Sequence, residues 1–150
     1  MDPFSLESVK TLSRDSRTSE WVHAFLLGPG DNRALSDGLK KAERRWLGPI
    51  EVPVAWLERC CGPEPEMEFQ VGPVGWSNRL ATLTEALDAG VDFPPIIAEY
   101  RDGRLSVRDG NHRLGTFELA GRETMWTLIW YNSQGDLEEH RPTLLASGIL

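Results

Sequence analysis

Asp109-Gly110-Asn111-His112-Arg113 brings a carboxylate, an imidazole and a guanidinium to a tight glycine turn at what reads as the start of a helix. A helix start offers unpaired backbone N–H groups and the positive end of the helix dipole, and Arg113 adds a planar fork of donors that matches phosphate oxygens. The chemistry these residues suit is phosphate binding. Asn111 reads either as a simple helix cap or as part of the phosphate turn, and Arg113 either as a solvated cation or as the phosphate fork. His112 gains its interest from its place beside Arg113, since a cap does not itself require histidine.

The elements that must position this turn can be read on both sides of it. Ile96 to Tyr100 and Leu105 to Arg108 flank Arg101-Asp102-Gly103-Arg104, and Asp-Gly between apolar runs predicts a hairpin whose second strand feeds the turn. Leu114 and Phe117 then follow helical spacing to a stop at Gly121, and Thr124 to Tyr131 returns as a strand with Trp126 and Trp130 on one face, read as core. Upstream, Ser77 caps a predicted helix with Leu80, Leu83 and Leu87 on one face and Gly90 as its stop. Arg79 and Thr82 lie three apart on it, within reach of a ligand beyond the helix start.

Ile50-Val52-Val54-Trp56 alternates as a half-buried strand, and Pro53, which cannot donate to a ladder, places it at a sheet edge. Gly62 to Gly75 reads as a long loop carrying Glu64, Glu66 and Glu68, either a solvated acidic edge or the source of a base or magnesium ligand. Met1 to Arg17 reads as a loose arm. Thr18 or Ser19 caps a helix through Trp21, Val22, Phe25 and Leu26, which Gly28-Pro29-Gly30 ends. A second helix is predicted from the stripe Leu35, Leu39, Ala42 and Trp46, before the Gly48-Pro49 break. The two helices read as a cover for the domain, or as a partner-binding pair. From Asn132 the chain is polar and weakly helical.

At 150 residues and 40% hydrophobic content the chain can bury a core of its own. It carries 23 acidic against 16 basic residues, a net charge of −7, which makes nucleic acid a less favoured partner despite the local arginines Arg101, Arg104, Arg108 and Arg113. Cys60 and Cys61 are adjacent, disfavour an ordinary disulfide and are too few for structural zinc. His23 and His140 stand alone. With no leader or membrane-length apolar run, a cytoplasmic setting and no membrane contact are expected.

Pro94-Pro95-Ile96, Asp109 to Arg113, and Gly121-Arg122-Glu123-Thr124 follow one another in an order that resembles the ParB/sulfiredoxin superfamily, over roughly Ile50 to Trp130. The resemblance implies that the glycine turn and His-Arg pair hold nucleotide phosphates. It also implies a fold: an α+β domain with a small mixed sheet and helices packed around it, preceded here by two N-terminal helices. Residues 1–49 form an N-terminal arm and helical extension on this reading, and 50–150 the nucleotide-binding domain. Sulfiredoxins place a cysteine where this chain has Asn111, and an amide cannot replace a thiolate nucleophile. ParB proteins bind CTP through a Gly-Glu-Arg-Arg box and add DNA-binding and dimerisation domains, which are not expected in the rest of 150 residues. Free serine kinases carry Asp-Gly-His-His-Arg, one residue away from the motif here. In sulfiredoxins a helical basic residue and a hydroxyl three positions later meet ATP, and Arg79 and Thr82 match them.

The leading expectation is therefore phosphoryl transfer or hydrolysis with ATP, or another triphosphate such as CTP, and Mg²⁺. Gly110, Asn111, His112, Arg113, Arg79 and Thr82 would hold the nucleotide, with His112, Asp109 and Glu68 catalytic and Asp109 and Glu68 the metal ligands. The acceptor, a small molecule or a protein, is unidentified. A ParB-like DNA-associated protein or nuclease, and a non-catalytic nucleotide-sensing or partner-binding module, are the alternatives.

Overall fold

Residues alternate across strands, so one strand can serve two cores. In β7 (Thr124–Tyr131), Met125, Ile129 and Tyr131 enter one buried cluster while Leu128 and Trp130 enter another. The computed structural model describes residues 2–150 and places β7 inside a five-stranded mixed sheet. The other strands are β1 (Arg45–Pro53), β2 (Leu57–Arg59), β5 (Ile96–Arg101) and β6 (Arg104–Asp109), in the order β1-β7-β5-β6-β2. β5 runs parallel to β7 and antiparallel to β6, while β1 and β2 close the two edges. The fold is α+β, as expected, with helices on both faces of the sheet.

On one face, α5 (Asn111–Leu119) and α6 (Gln134–Ala146) supply Leu114 and Leu137 to a core with Val52, Ile96, Val107 and Ile129. On the other face α1 (Leu6–Arg14), α2 (Thr18–Leu27) and α3 (Arg33–Leu39) supply Val9, Trp21, Val22, Phe25, Leu26 and Leu39 against Ile97, Leu128 and Trp130. α4 (Pro73–Asp88) packs beside α5. The contact is close: a Cβ on Gly115 would stand 2.7 Å from Trp76 Cζ2.

Several local readings are corrected. The expected loose arm holds α1, capped by Ser5, whose hydroxyl accepts from Ser8 N–H at 3.1 Å, and Val9 is fully buried. The N-terminal cover therefore has three helices rather than two. Thr18 is the first residue of α2 rather than its cap, which is Arg17. The second expected helix stops at Leu39, and Trp46 belongs to β1, opposite Trp130 with ring centroids 6.1 Å apart. Gly48-Pro49 is a bulge within β1 between Leu47 and Ile50. The alternating run ends in a 3₁₀ turn at Val54–Trp56. Two short parallel strands, β3 (Cys61–Gly62) and β4 (Phe69–Gln70), interrupt the Gly62–Gly75 loop, and α4 begins at Pro73 instead of after Ser77. Among the described residues no helix is long and apolar enough to cross a membrane.

Candidate functional site

β6 delivers Asp109 to the turn, and the hairpin that aims it closes through Asp102 and Gly103, both at positive φ. Gly110 then turns the chain at φ 100° and caps α5 without any side-chain hydrogen bond to the helix start. Only glycine fits. A Cβ there would stand 2.5 Å from Ile96 Cγ2. The first N–H groups of α5 are thus left open beside His112.

Asn111 is not the cap. Its carbonyl oxygen accepts from Cys60 N–H at 2.9 Å and Cys61 N–H at 3.3 Å, and its amide donates to the Val107 carbonyl at 2.9 Å. It is buried, and it staples the segment after β2 to the start of α5. The thiol of Cys60 is buried against the Val107 carbonyl, and burial pushes the half-buried Cys61 thiol up.

Arg113 is also engaged by the protein. Nη1 donates to the Pro94 and Pro95 carbonyls, the latter at 3.2 Å, and Nη2 pairs with Asp109 Oδ2 at 3.1 Å. Burial lowers its pKa from the ordinary arginine value; Asp109 opposes this and Arg79 adds to it. The guanidinium therefore ties the Pro-Pro segment to the glycine turn, and the residue also lines the pocket beside that turn.

That pocket, of about 340 Å³, is lined by Arg79, His112, Arg113, Asp109 and Gly110, with Phe25, Pro29, Gly30, Leu83, Phe93 and Pro94 as its apolar walls. Its size falls within the roughly 300–1,000 Å³ of small-molecule sites. Arg79 is exposed and makes no ion pair or hydrogen bond among the described residues. With two arginines against one aspartate, the pocket carries a net positive charge within a chain of net charge −7. His112 packs against Trp76 at 4.6 Å between ring centroids, and burial, then Arg79, lowers its pKa so that it is neutral near pH 7.

Arg79, Asp109, Gly110, His112 and Arg113 thus converge. Thr82 and Glu68 do not join them. Thr82 is exposed and donates to its own helix at the Asn78 carbonyl, 3.2 Å away. Glu68 pairs with Arg108 and lines a separate concavity of about 650 Å³ at the β6–β2 end of the sheet, with Glu58, Arg101 and Arg104. Glu64 is held by Arg59 at 2.8 Å, which keeps its carboxyl below the ordinary range. A magnesium ion held by Asp109 and Glu68 does not fit this arrangement. The two carboxylates line different concavities, and Asp109 is engaged by Asn32 Nδ2 at 3.1 Å through Oδ1 and by Arg113 through Oδ2. The lining residues that sequence reasoning left outside the site are Phe25, Pro29, Gly30, Leu83, Phe93 and Pro94, and it missed Asn32 behind them. Asn32 had a visible cue as a cap before Arg33, but its partner lies 77 positions away.

Fold and site define an α+β domain with an electropositive pocket at a glycine-led helix start. No family model matches the sequence, and no curated protein matches it. Among solved structures the chain is similar to sulfiredoxin from Arabidopsis thaliana, at 20% identity over 64% of this chain and 96% of that one, with a TM-score of 0.44. It is similar to a Pnob8-like ParB-N domain at 17% identity over 66% of this chain and 33% of that one, TM-score 0.42. A third similarity, at 18% identity, is to C-terminally truncated chromosome-partitioning protein ParB from Caulobacter crescentus, complexed with CTP-gamma-S. It covers 71% of this chain and 53% of that one, with a TM-score of 0.38.

Proposed function

We propose that the pocket at the start of α5 binds a nucleoside polyphosphate. The observation that carries this reading is the uncapped helix start opening beside Arg79, a cation with no partner of its own among the described residues, in an otherwise acidic molecule. Open N–H groups and an unpaired guanidinium stabilise phosphate oxygens together. His112, neutral, donates one ring N–H to the same oxygens. Phe25, Pro29 and Phe93 offer apolar surface to the nucleoside.

Binding, rather than turnover, is the function the geometry supports best. Phosphoryl transfer needs a carboxylate free to take a proton or hold a metal, and Asp109 is committed to Asn32 and Arg113. Calorimetric titration with ATP, CTP and inorganic phosphate tests the reading. A triphosphate is expected to bind in the micromolar to millimolar range and phosphate more weakly; a wild-type protein that binds neither triphosphate overturns it. Release of phosphate from bound ATP or CTP would move the protein to the hydrolase class.

A further inference from the structure

One wall of the pocket comes from outside the motif and outside the segment that resembles a known family. Phe25 stacks on Trp21, with centroids 5.0 Å apart and planes 7° apart, and Arg113 Cζ lies over its ring, 5.8 Å from the centroid. The turn after α2 is pressed onto Phe25: Gly30 N–H donates to the Phe25 carbonyl at 2.8 Å, and a Cβ on Gly30 would stand 2.7 Å from Phe25 Cε2. Asn32 closes the turn by donating its N–H to the Leu26 carbonyl at 2.8 Å. Its side chain then does two jobs. The carbonyl oxygen caps α3 by accepting from Leu35 N–H at 3.3 Å, and the amide donates to Asp109 Oδ1 at 3.1 Å.

We infer that Asn32 is a positioning residue of the pocket, which holds the wall of residues 25–30 against the glycine turn and holds the Asp109 carboxylate in the plane that Arg113 needs. This inference rests on the pocket being a nucleotide site. Asp109 is 8% exposed, so water replaces a lost amide poorly. Without it the carboxylate is held by Arg113 alone and can turn about that ion pair toward the pocket, which brings its negative charge closer to a bound phosphate. The N-terminal helices are on this view part of the binding site as well as a cover for the sheet.

The two jobs of Asn32 can be separated. Asn32→Ser and Asn32→Asp both keep an N-cap oxygen, so α3 is retained; the single, shorter serine hydroxyl cannot stand in for the two separate atoms that serve Leu35 and Asp109, and Asn32→Asp removes the donor and sets two carboxylates face to face. Each is expected to weaken ATP binding by about tenfold, the equivalent of one charge-assisted hydrogen bond. The double variant Asn32→Asp with Asp109→Asn restores a donor and acceptor of reversed polarity, and is expected to recover affinity to within about threefold of wild type. Circular-dichroism melts run beside the titrations separate positioning from stability, because the swap must recover affinity more than it recovers the melting temperature. Wild-type affinity in both single variants, or a swap that binds no better than Asn32→Asp, overturns the inference while leaving the nucleotide reading intact. Absence of ATP and CTP binding to wild type overturns that reading and this inference with it.

Discussion

At the scale of single residues the motif divides into groups that face the pocket and groups that hold it. Arg79 faces it, so Arg79→Ala is expected to weaken triphosphate binding roughly ten- to a hundredfold while leaving the melting temperature near wild type, as calorimetry and a thermal melt will show. Gly110 and Asn111 hold it. Gly110→Ala places a side chain at positive φ and into Ile96, and a loss of about 2–4 kcal/mol in urea unfolding is expected. Asn111→Ala leaves the Cys60 and Cys61 N–H groups without their acceptor and the Val107 carbonyl with only the Cys60 thiol, and about 2–4 kcal/mol is expected there too. The residue types in the motif were legible because glycine, histidine and arginine each imply local chemistry. Which of them spends its donors on the protein was not, since Arg113 looks alike in sequence whether its partners are phosphate oxygens or the carbonyls of Pro94 and Pro95.

At the scale of elements, the β5–β6 hairpin, α5 and β7 followed from turn chemistry and period, which are local properties. The errors lie where two local readings compete. Trp46 fits a helical stripe after Leu39 as well as it fits strand alternation before Ile50, and only its pairing with Trp130 decides. α1 was obscured by its Ser- and Thr-rich composition, although Ser5 as cap and Leu6, Val9 and Leu12 at spacings of three could have revealed it. Gly72 followed by Pro73 was likewise a readable helix start that Ser77 overshadowed. The α4–α5 contact is where an element-scale change will reach the site. Gly115→Val is expected to force Trp76 outward, separating Arg79 from the start of α5, and so to lower both the melting temperature and triphosphate affinity. An unchanged affinity in a folded Gly115→Val protein would show that Arg79 does not depend on this packing.

For the whole molecule, pH is the readiest probe. All three histidines are shifted the same way: burial lowers His23, with Lys40 adding to it, lowers His112, with Arg79 adding to it, and lowers His140, which meets the Tyr131 hydroxyl at 2.5 Å. Between 6.5 and each lowered value the unfolded chain holds a proton that the folded chain does not, so stability is full above pH 6.5 and declines as pH falls below it. Melting temperatures measured from pH 7.5 down to 5 should fall, whereas triphosphate affinity should rise over the same range as His112 gains charge. The two trends oppose each other, and parallel trends would place His112 away from the ligand. The register of the sheet, finally, orders events during synthesis. Arg45 meets Tyr131 and Pro53 meets Thr124, so the first strand leaves the ribosome long before its partner. Until then Trp21, Val22 and Leu26 lack the face of Leu128 and Trp130 on which they pack. Such distant closures are slow, and the nascent chain, with its aromatic N-terminal helices exposed, is the form of this protein most in need of a chaperone.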